Sequence, residues 1–201
     1  MKSDIQLYCD AMAEIRDRIN VVSTILCDRI HIGLPGQPPL QDQRTELVFV
    51  QLRKVLEGIA FASLSANREE YAEVRERFSA DWNATRILDC VKRVNPNFWP
   101  VPIGEPIETE RGLFHFREAP LDGVFTRDDF ERLYTCCAEV LHLPNPYKGG
   151  SATVPTANTI ENWVRRIQRL LGRHRVGLLS GDVWVVEVPG DGPVRVLLGR
   201  T

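Results

Sequence analysis

The sequence contains no run approaching the ~18 consecutive apolar residues of a spanning helix, so no segment is expected to cross a membrane. It also lacks an excess of either charge. The 25 Lys and Arg against 27 Asp and Glu leave a formal net of -2, which excludes a duplex-DNA coater or a polybasic membrane binder. Histidine is scarce: His31, His115, His142 and His174 are the four, and none sits in a His-Glu-x-x-His frame. The five cysteines, Cys9, Cys27, Cys90, Cys136 and Cys137, lack zinc spacing, so no metal site is expected. A phosphate-binding loop is missing, because Gly149-Gly150-Ser151 is not followed by a Lys-Ser/Thr helix start. Gly-x-Ser-x-Gly and the dinucleotide fingerprint are missing too, which disfavours the common hydrolase and nucleotide-dependent enzymes. No cofactor is expected. The first ten residues carry Asp4 and Asp10 where a signal peptide needs an apolar core. The expected location is therefore cytoplasmic, with the cysteines as reduced, mostly buried thiols.

What is present is an ordinary globular composition. The 201 residues are 43% apolar, enough for one domain, or one domain with a small appendage. Charge is uneven along the chain. Residues 101–155 hold five basic and nine acidic groups, whereas residues 156–201 hold seven basic and four acidic. The C-terminal third is thus the better place for a polyanion.

Apolar spacing outlines the elements. Ser3 and Gln6 read as a capping box, and Ile5, Tyr8, Met12, Ile15, Ile19, Val22 and Leu26 then recur at steps of three and four. This predicts one long helix over about 3–30, either a bundle helix or a coiled-coil seam. Residues 31–44, with three prolines and two glycines, break it. A second helix is expected from Thr45, with Val48, Leu52, Val55, Ile59 and Ala62 in line and Arg53 paired to Glu57 on its outer face. Gly58 disfavours that helix by about 1 kcal/mol relative to Ala, a cost that close packing or a nearby ligand would explain. Ser79 or Asp81 would cap a helix over 82–94.

Residues 95–125 read as an irregular stretch over the core, with a possible hairpin around 102–117. Thr126 and Asp129 form a capping box for a helix over 127–142, and a further helix is expected over 157–172. The segments 176–179, 182–188 and 194–198 read as strands, with Pro189-Gly190-Asp191-Gly192 as a turn. The expected fold class is α+β, mainly α: a helical bundle with a small C-terminal antiparallel β-sheet docked on it. The expected division is a bundle domain over 1–148 and, over 149–201, a helix plus a β-hairpin or three-stranded sheet packed on the bundle.

Two places could carry chemistry. His142 ends an amphipathic helix just before Leu143-Pro144-Asn145-Pro146, and a helix C-terminus favours a cationic imidazole. It is either a simple helix end or one side of a site with Asn145. The second place is the run of Arg165, Arg166, Arg169, Arg173, His174 and Arg175, which no acid interrupts. It reads as a solvated helix face, as a phosphate or nucleic-acid contact, or as a surface that docks on the acidic middle segment. It also contains Arg169-x4-His174, a spacing that arises easily by chance. Trp82, Trp99, Trp163 and Trp184 read as packing residues, with Trp99 as the one that could be exposed.

The layout of residues 1–145 resembles the HEPN-like helical superfamily. Its active members carry an Arg with a polar neighbour, then a short spacer and a His, on the last bundle helix. Here the histidine matches His142, the arginine position falls on Cys137, and the polar neighbour falls on Ala138. The resemblance implies metal-free RNA cleavage of the kind found in toxin–antitoxin and phage-defence systems. The cation would then have to come from Arg132 or Arg53. The expected function is a non-catalytic helical protein that binds a protein or RNA partner. The alternatives are an HEPN-like ribonuclease, with His142, Asn145 and Arg132 as its site, and a dimerising structural module that pairs through helix 3–30.

Overall fold

The computed structural model describes residues 2–27, 41–67, 83–109, 114–142, 147 and 154–200. The chain is α+β and mainly helical, with five helices among these residues and a small antiparallel sheet. The helices are α1 (Asp4–Cys27), α2 (Gln41–Ser65), α3 (Ala84–Val94), α4 (Arg127–Leu141) and α5 (Ala157–Leu171). The strands are β1 (Val101–Pro102), β2 (Ile107–Glu108), β3 (Phe114–His115), β4 (Arg173–Gly177), β5 (Asp182–Glu187) and β6 (Arg195–Arg200).

The helix ends follow from local chemistry. The Ser3 hydroxyl accepts from the Gln6 N–H at 3.2 Å, but the Gln6 amide turns to Asp10, so only half of a capping box forms. At Thr126 both halves form: its hydroxyl accepts from the Asp129 N–H, and the Asp129 carboxylate accepts from the Thr126 N–H at 2.9 Å. Asn83 caps α3 through the Arg86 N–H. The expected caps Ser79 and Asp81 lie outside the described residues, as does Trp82. The second helix begins at Gln41, not Thr45, because Gln41-Asp42-Gln43-Arg44 adds a polar turn that apolar spacing does not mark. Arg44 within it donates to the Ile25 carbonyl at 3.1 Å, tying this turn to the end of α1.

The first helix buries Tyr8, Met12, Ile15, Ile19 and Val22 against α2 and α5, so its stripe is used within the chain. A coiled-coil seam through helix 3–30 would need that same stripe. The cost of Gly58 is explained by close approach, since a Cβ there would lie 2.9 Å from Ile15 Cγ1. Val48, Leu52, Val55, Ile59 and Ala62 are all buried.

The main sheet has the order β1-β4-β5-β6, with every neighbouring pair antiparallel. The residues read as the end of the basic cluster, 173–175, belong to β4. Its strand therefore starts three residues earlier than the apolar run suggests. The irregular stretch contributes β1 to this sheet through Val101 opposite Arg175 and Pro102 opposite His174. It also forms the expected hairpin, β2 against β3. A boundary at 148/149 thus separates strands that hydrogen-bond to each other. One continuous core runs from Tyr8 and Phe49 through Phe130 and Ile167 to Trp184 and Val186. Trp99 is half-buried, its ring edge-on to Phe98 and Phe130.

Candidate functional site

The basic cluster does not stand together as a surface. Arg166 is bound to the buried Asp129 by both terminal nitrogens and also donates to the Val124 carbonyl at 2.9 Å. Burial alone would raise the Asp129 carboxyl, but the Thr126 hydrogen bonds and the Arg166 guanidinium outweigh it and hold it below the usual carboxylate range. Arg173 lies between Glu187, at 2.5 Å, and Glu105, at 2.6 Å, and these acids raise it further. Arg175 pairs with Glu118. Arg165 and Arg169 remain exposed on α5. Three of the five cluster arginines are therefore paired with acids, among them Glu105, Glu118 and Asp129 of the acidic middle segment. The uneven charge along the sequence is largely cancelled by folding.

His174, which the sequence places in this cluster, is wholly buried on β4. Its Nδ1 lies 2.9 Å from the Leu171 carbonyl and its Nε2 2.7 Å from the Tyr8 hydroxyl. A carbonyl only accepts, so Nδ1 carries the proton and Tyr8 donates to Nε2. Burial drives the imidazole down to about 4 and the phenol well above its usual value. Tyr8 also meets Trp184 edge-on at 5.5 Å. The pair fastens α1 to the sheet. A second buried polar link joins α2, α3 and β4: the Asn95 amide donates to Asn67 Oδ1 and to the Gly177 carbonyl, both at 2.7 Å.

The family-derived residues are dispersed. His142 is exposed at the end of α4, where its backbone N–H bonds to the Ala138 carbonyl at 3.1 Å. Asn145 lies outside the described residues. Arg132 is exposed on α4, ten residues before His142, or about 15 Å along the axis. Cys137, at the arginine position of the resemblance, is buried and its thiol is pushed up to about 12 by desolvation, with Cys136 adding to the rise. It is neutral near pH 7. The positive charge of Arg53 opposes part of that rise. However, its Nε is bound to Glu57 at 3.1 Å, and its guanidinium stacks on the Tyr134 ring at 5.0 Å. The Arg53–Glu57 pair is thus half-buried between α2 and α4, not on an outer face. Of the cysteines, Cys137 alone is buried and Cys27 is exposed, with the other three intermediate. Among the described residues, no group of three or more His, Cys, Asp or Glu could hold a metal ion, and no helix is long and apolar enough to cross a membrane.

One exposed apolar feature flanked by charge lies at the sheet edge. Among the described residues β6 pairs only with β5, so one side of its backbone is open. Leu197 and Leu198 on it are 58% and 73% exposed. Leu198 stands opposite Trp184 on the helix-facing side, and Leu197 stands opposite Val185 on the other side. Successive residues of a strand point to opposite faces, so Leu-Leu cannot be buried together on a one-sided sheet. That pairing was the available sequence signal for this edge. Arg16 of α1 holds the β5–β6 turn by donating to the Gly192 carbonyl at 2.6 Å. The ends of β6 carry Arg195 and Arg200, whose side chains are 70% and 93% exposed, with Glu187 and Asp182 only at 4.0 Å and 3.8 Å.

No family model, curated protein or solved structure matches this chain.

Proposed function

We propose that this protein is a binding module for another protein, and that it takes up an extended segment of its partner at the open edge of β6. The observation that carries this reading is the outer edge of β6, which has no strand partner among the described residues and bears two exposed leucines. Edge strands are usually guarded by Lys, Pro, a bulge or a covering loop. The centre of β6, Val196-Leu197-Leu198-Gly199, has no charge and no proline. Strand addition gives affinity through main-chain hydrogen bonds and specificity through alternate side chains. An RNA partner draws less support, because Arg166, Arg173 and Arg175 already have carboxylate partners.

The test is selection of a random peptide library on the wild-type protein and on a Leu197→Lys/Leu198→Lys variant, checked first for unchanged thermal melting. Both leucines are exposed, so the variant should fold. Enrichment of extended, alternating apolar peptides on the wild type alone is expected. Equal enrichment on both proteins, or RNA binding abolished by reversing Arg165 and Arg169, would overturn the reading.

The ribonuclease reading keeps one favourable observation, the contact of Arg53 with Tyr134 on the helix that ends at His142. Glu57 and Tyr134 engage that guanidinium, which weakens it as a phosphate cation. Metal-free RNA cleavage by the wild type, lost in both His142→Ala and Arg53→Ala, would favour this reading instead.

A further inference from the structure

The charges that flank the open edge specify its partner. We infer that β6 receives an antiparallel strand that is apolar at its centre and acidic at both ends, with the two acids separated by four residues. This rests on the strand-addition reading above and goes further by stating the chemistry of the segment.

Register fixes which side chains of an added strand meet each residue of β6. In an antiparallel pair, directly opposite residues share a face of the sheet. A residue opposite Arg200 lies on the face of Leu198 and Trp184, and a residue opposite Arg195 lies on the face of Leu197 and Glu187. Between them, the positions opposite Leu198 and Leu197 call for apolar side chains on alternate faces. The two arginines stand at the ends of one strand, extend into solvent, and have acids on β5 only at the limit of an ion pair. A carboxylate on the open side can approach both guanidiniums without displacing a buried group. This differs from Arg166, Arg173 and Arg175, whose acids lie at contact distance.

A second copy of this chain fits less well. Symmetric pairing of β6 about Leu197 would put apolar residues opposite one another, Val196 against Leu198 and Leu197 against itself. It would also gather four arginines, two from each copy, with no added acid. Like charges along paired strands oppose association.

The experiment is an amide NMR titration of the full chain with two capped hexapeptides, Glu-Thr-Ile-Val-Thr-Glu and Lys-Thr-Ile-Val-Thr-Lys. A sedimentation measurement of the protein alone accompanies it. The acidic peptide is expected to shift the β6 and β5 amides and to bind about tenfold more tightly than the basic one. That preference should shrink on going from 0.1 M to 1 M salt, where the screening length falls from about 10 Å to about 3 Å. An Arg195→Glu/Arg200→Glu variant should reverse the preference. Equal binding of both peptides at β6 would refute the charge rule and leave strand addition standing. Concentration-dependent dimerisation that is lost in Leu197→Lys would also refute it, by making a second copy the occupant. No shift in β6 with either peptide, in a monomeric protein, would overturn the inference. Strand addition would then be judged separately by the library selection.

Discussion

The buried link between Tyr8 and His174 supports a quantitative prediction. Replacing Tyr8 by Phe removes only the hydroxyl and leaves His174 Nε2 buried without a donor. An unsatisfied buried acceptor costs about 1–3 kcal/mol. For a chain of this size, 2 kcal/mol corresponds to a fall in Tm of about 4–8 °C. His174→Leu leaves both the Tyr8 hydroxyl and the Leu171 carbonyl without a partner, at a larger cost. The double variant removes both members of the Tyr8–His174 pair and leaves only the Leu171 carbonyl without its donor. It should therefore be less destabilised than the two single losses together, by about 1–2 kcal/mol.

The same pair sets a pH dependence. The imidazole falls from an ordinary 6.5 to about 4 on folding. Between those values the unfolded chain binds a proton that the native state does not, so stability falls as the pH is lowered. From pH 7 to pH 5 the loss from this group is about 2 kcal/mol. Urea unfolding at both pH values measures it, with His174→Leu as the control that lacks the group. If the two single losses add without coupling, the assigned hydrogen bond is wrong; if His174→Leu retains the wild-type slope between pH 7 and pH 5, the burial of a neutral imidazole is wrong.

Other substitutions read different parts of the fold. Asp129→Ala removes the reciprocal side of the Thr126 box and strands the Arg166 guanidinium, so a loss of about 2–4 kcal/mol is expected in denaturant unfolding. Asp129→Asn should cost less because an amide oxygen can still cap. Because the Asp129 carboxyl is lowered on folding, its contribution is present above the ordinary carboxylate range and disappears as pH falls below it. A Cβ at Gly177 would lie 2.9 Å from Asn97 Cβ and 3.1 Å from its carbonyl oxygen, so Gly177→Ala should destabilise by about 1–3 kcal/mol, read as a lower denaturant midpoint. His142→Ala should change stability by less than about 0.5 kcal/mol, since only its backbone is engaged in the helix end. A larger loss would mean that the imidazole has a partner on the fold.

Much of the fold was legible from one sequence, because apolar periodicity and capping chemistry are local. The Tyr8–Val22 stripe, the Thr126–Asp129 box and the strand–turn–strand at the C-terminus all follow from neighbouring residues. The errors have one character. Arg173-His174-Arg175 looks like a basic helix end, but it is a strand whose inward histidine needs a phenol 166 residues away. The polar first turn of α2 is held by the end of α1. The expected outer pair Arg53–Glu57 lies against Tyr134 of another helix.

The sequence by itself determined the main helices, the two C-terminal strands and their apolar faces, since 3.6- and 2-residue periods are properties of the local chain. Tertiary structure decided which charges remain available. Only folding brings Glu105, Glu118 and Asp129 onto the C-terminal arginines, and only the strand order leaves Leu197 and Leu198 on an edge that is open among the described residues. Ion pairing and edge exposure depend on distances between remote segments, which no local pattern encodes.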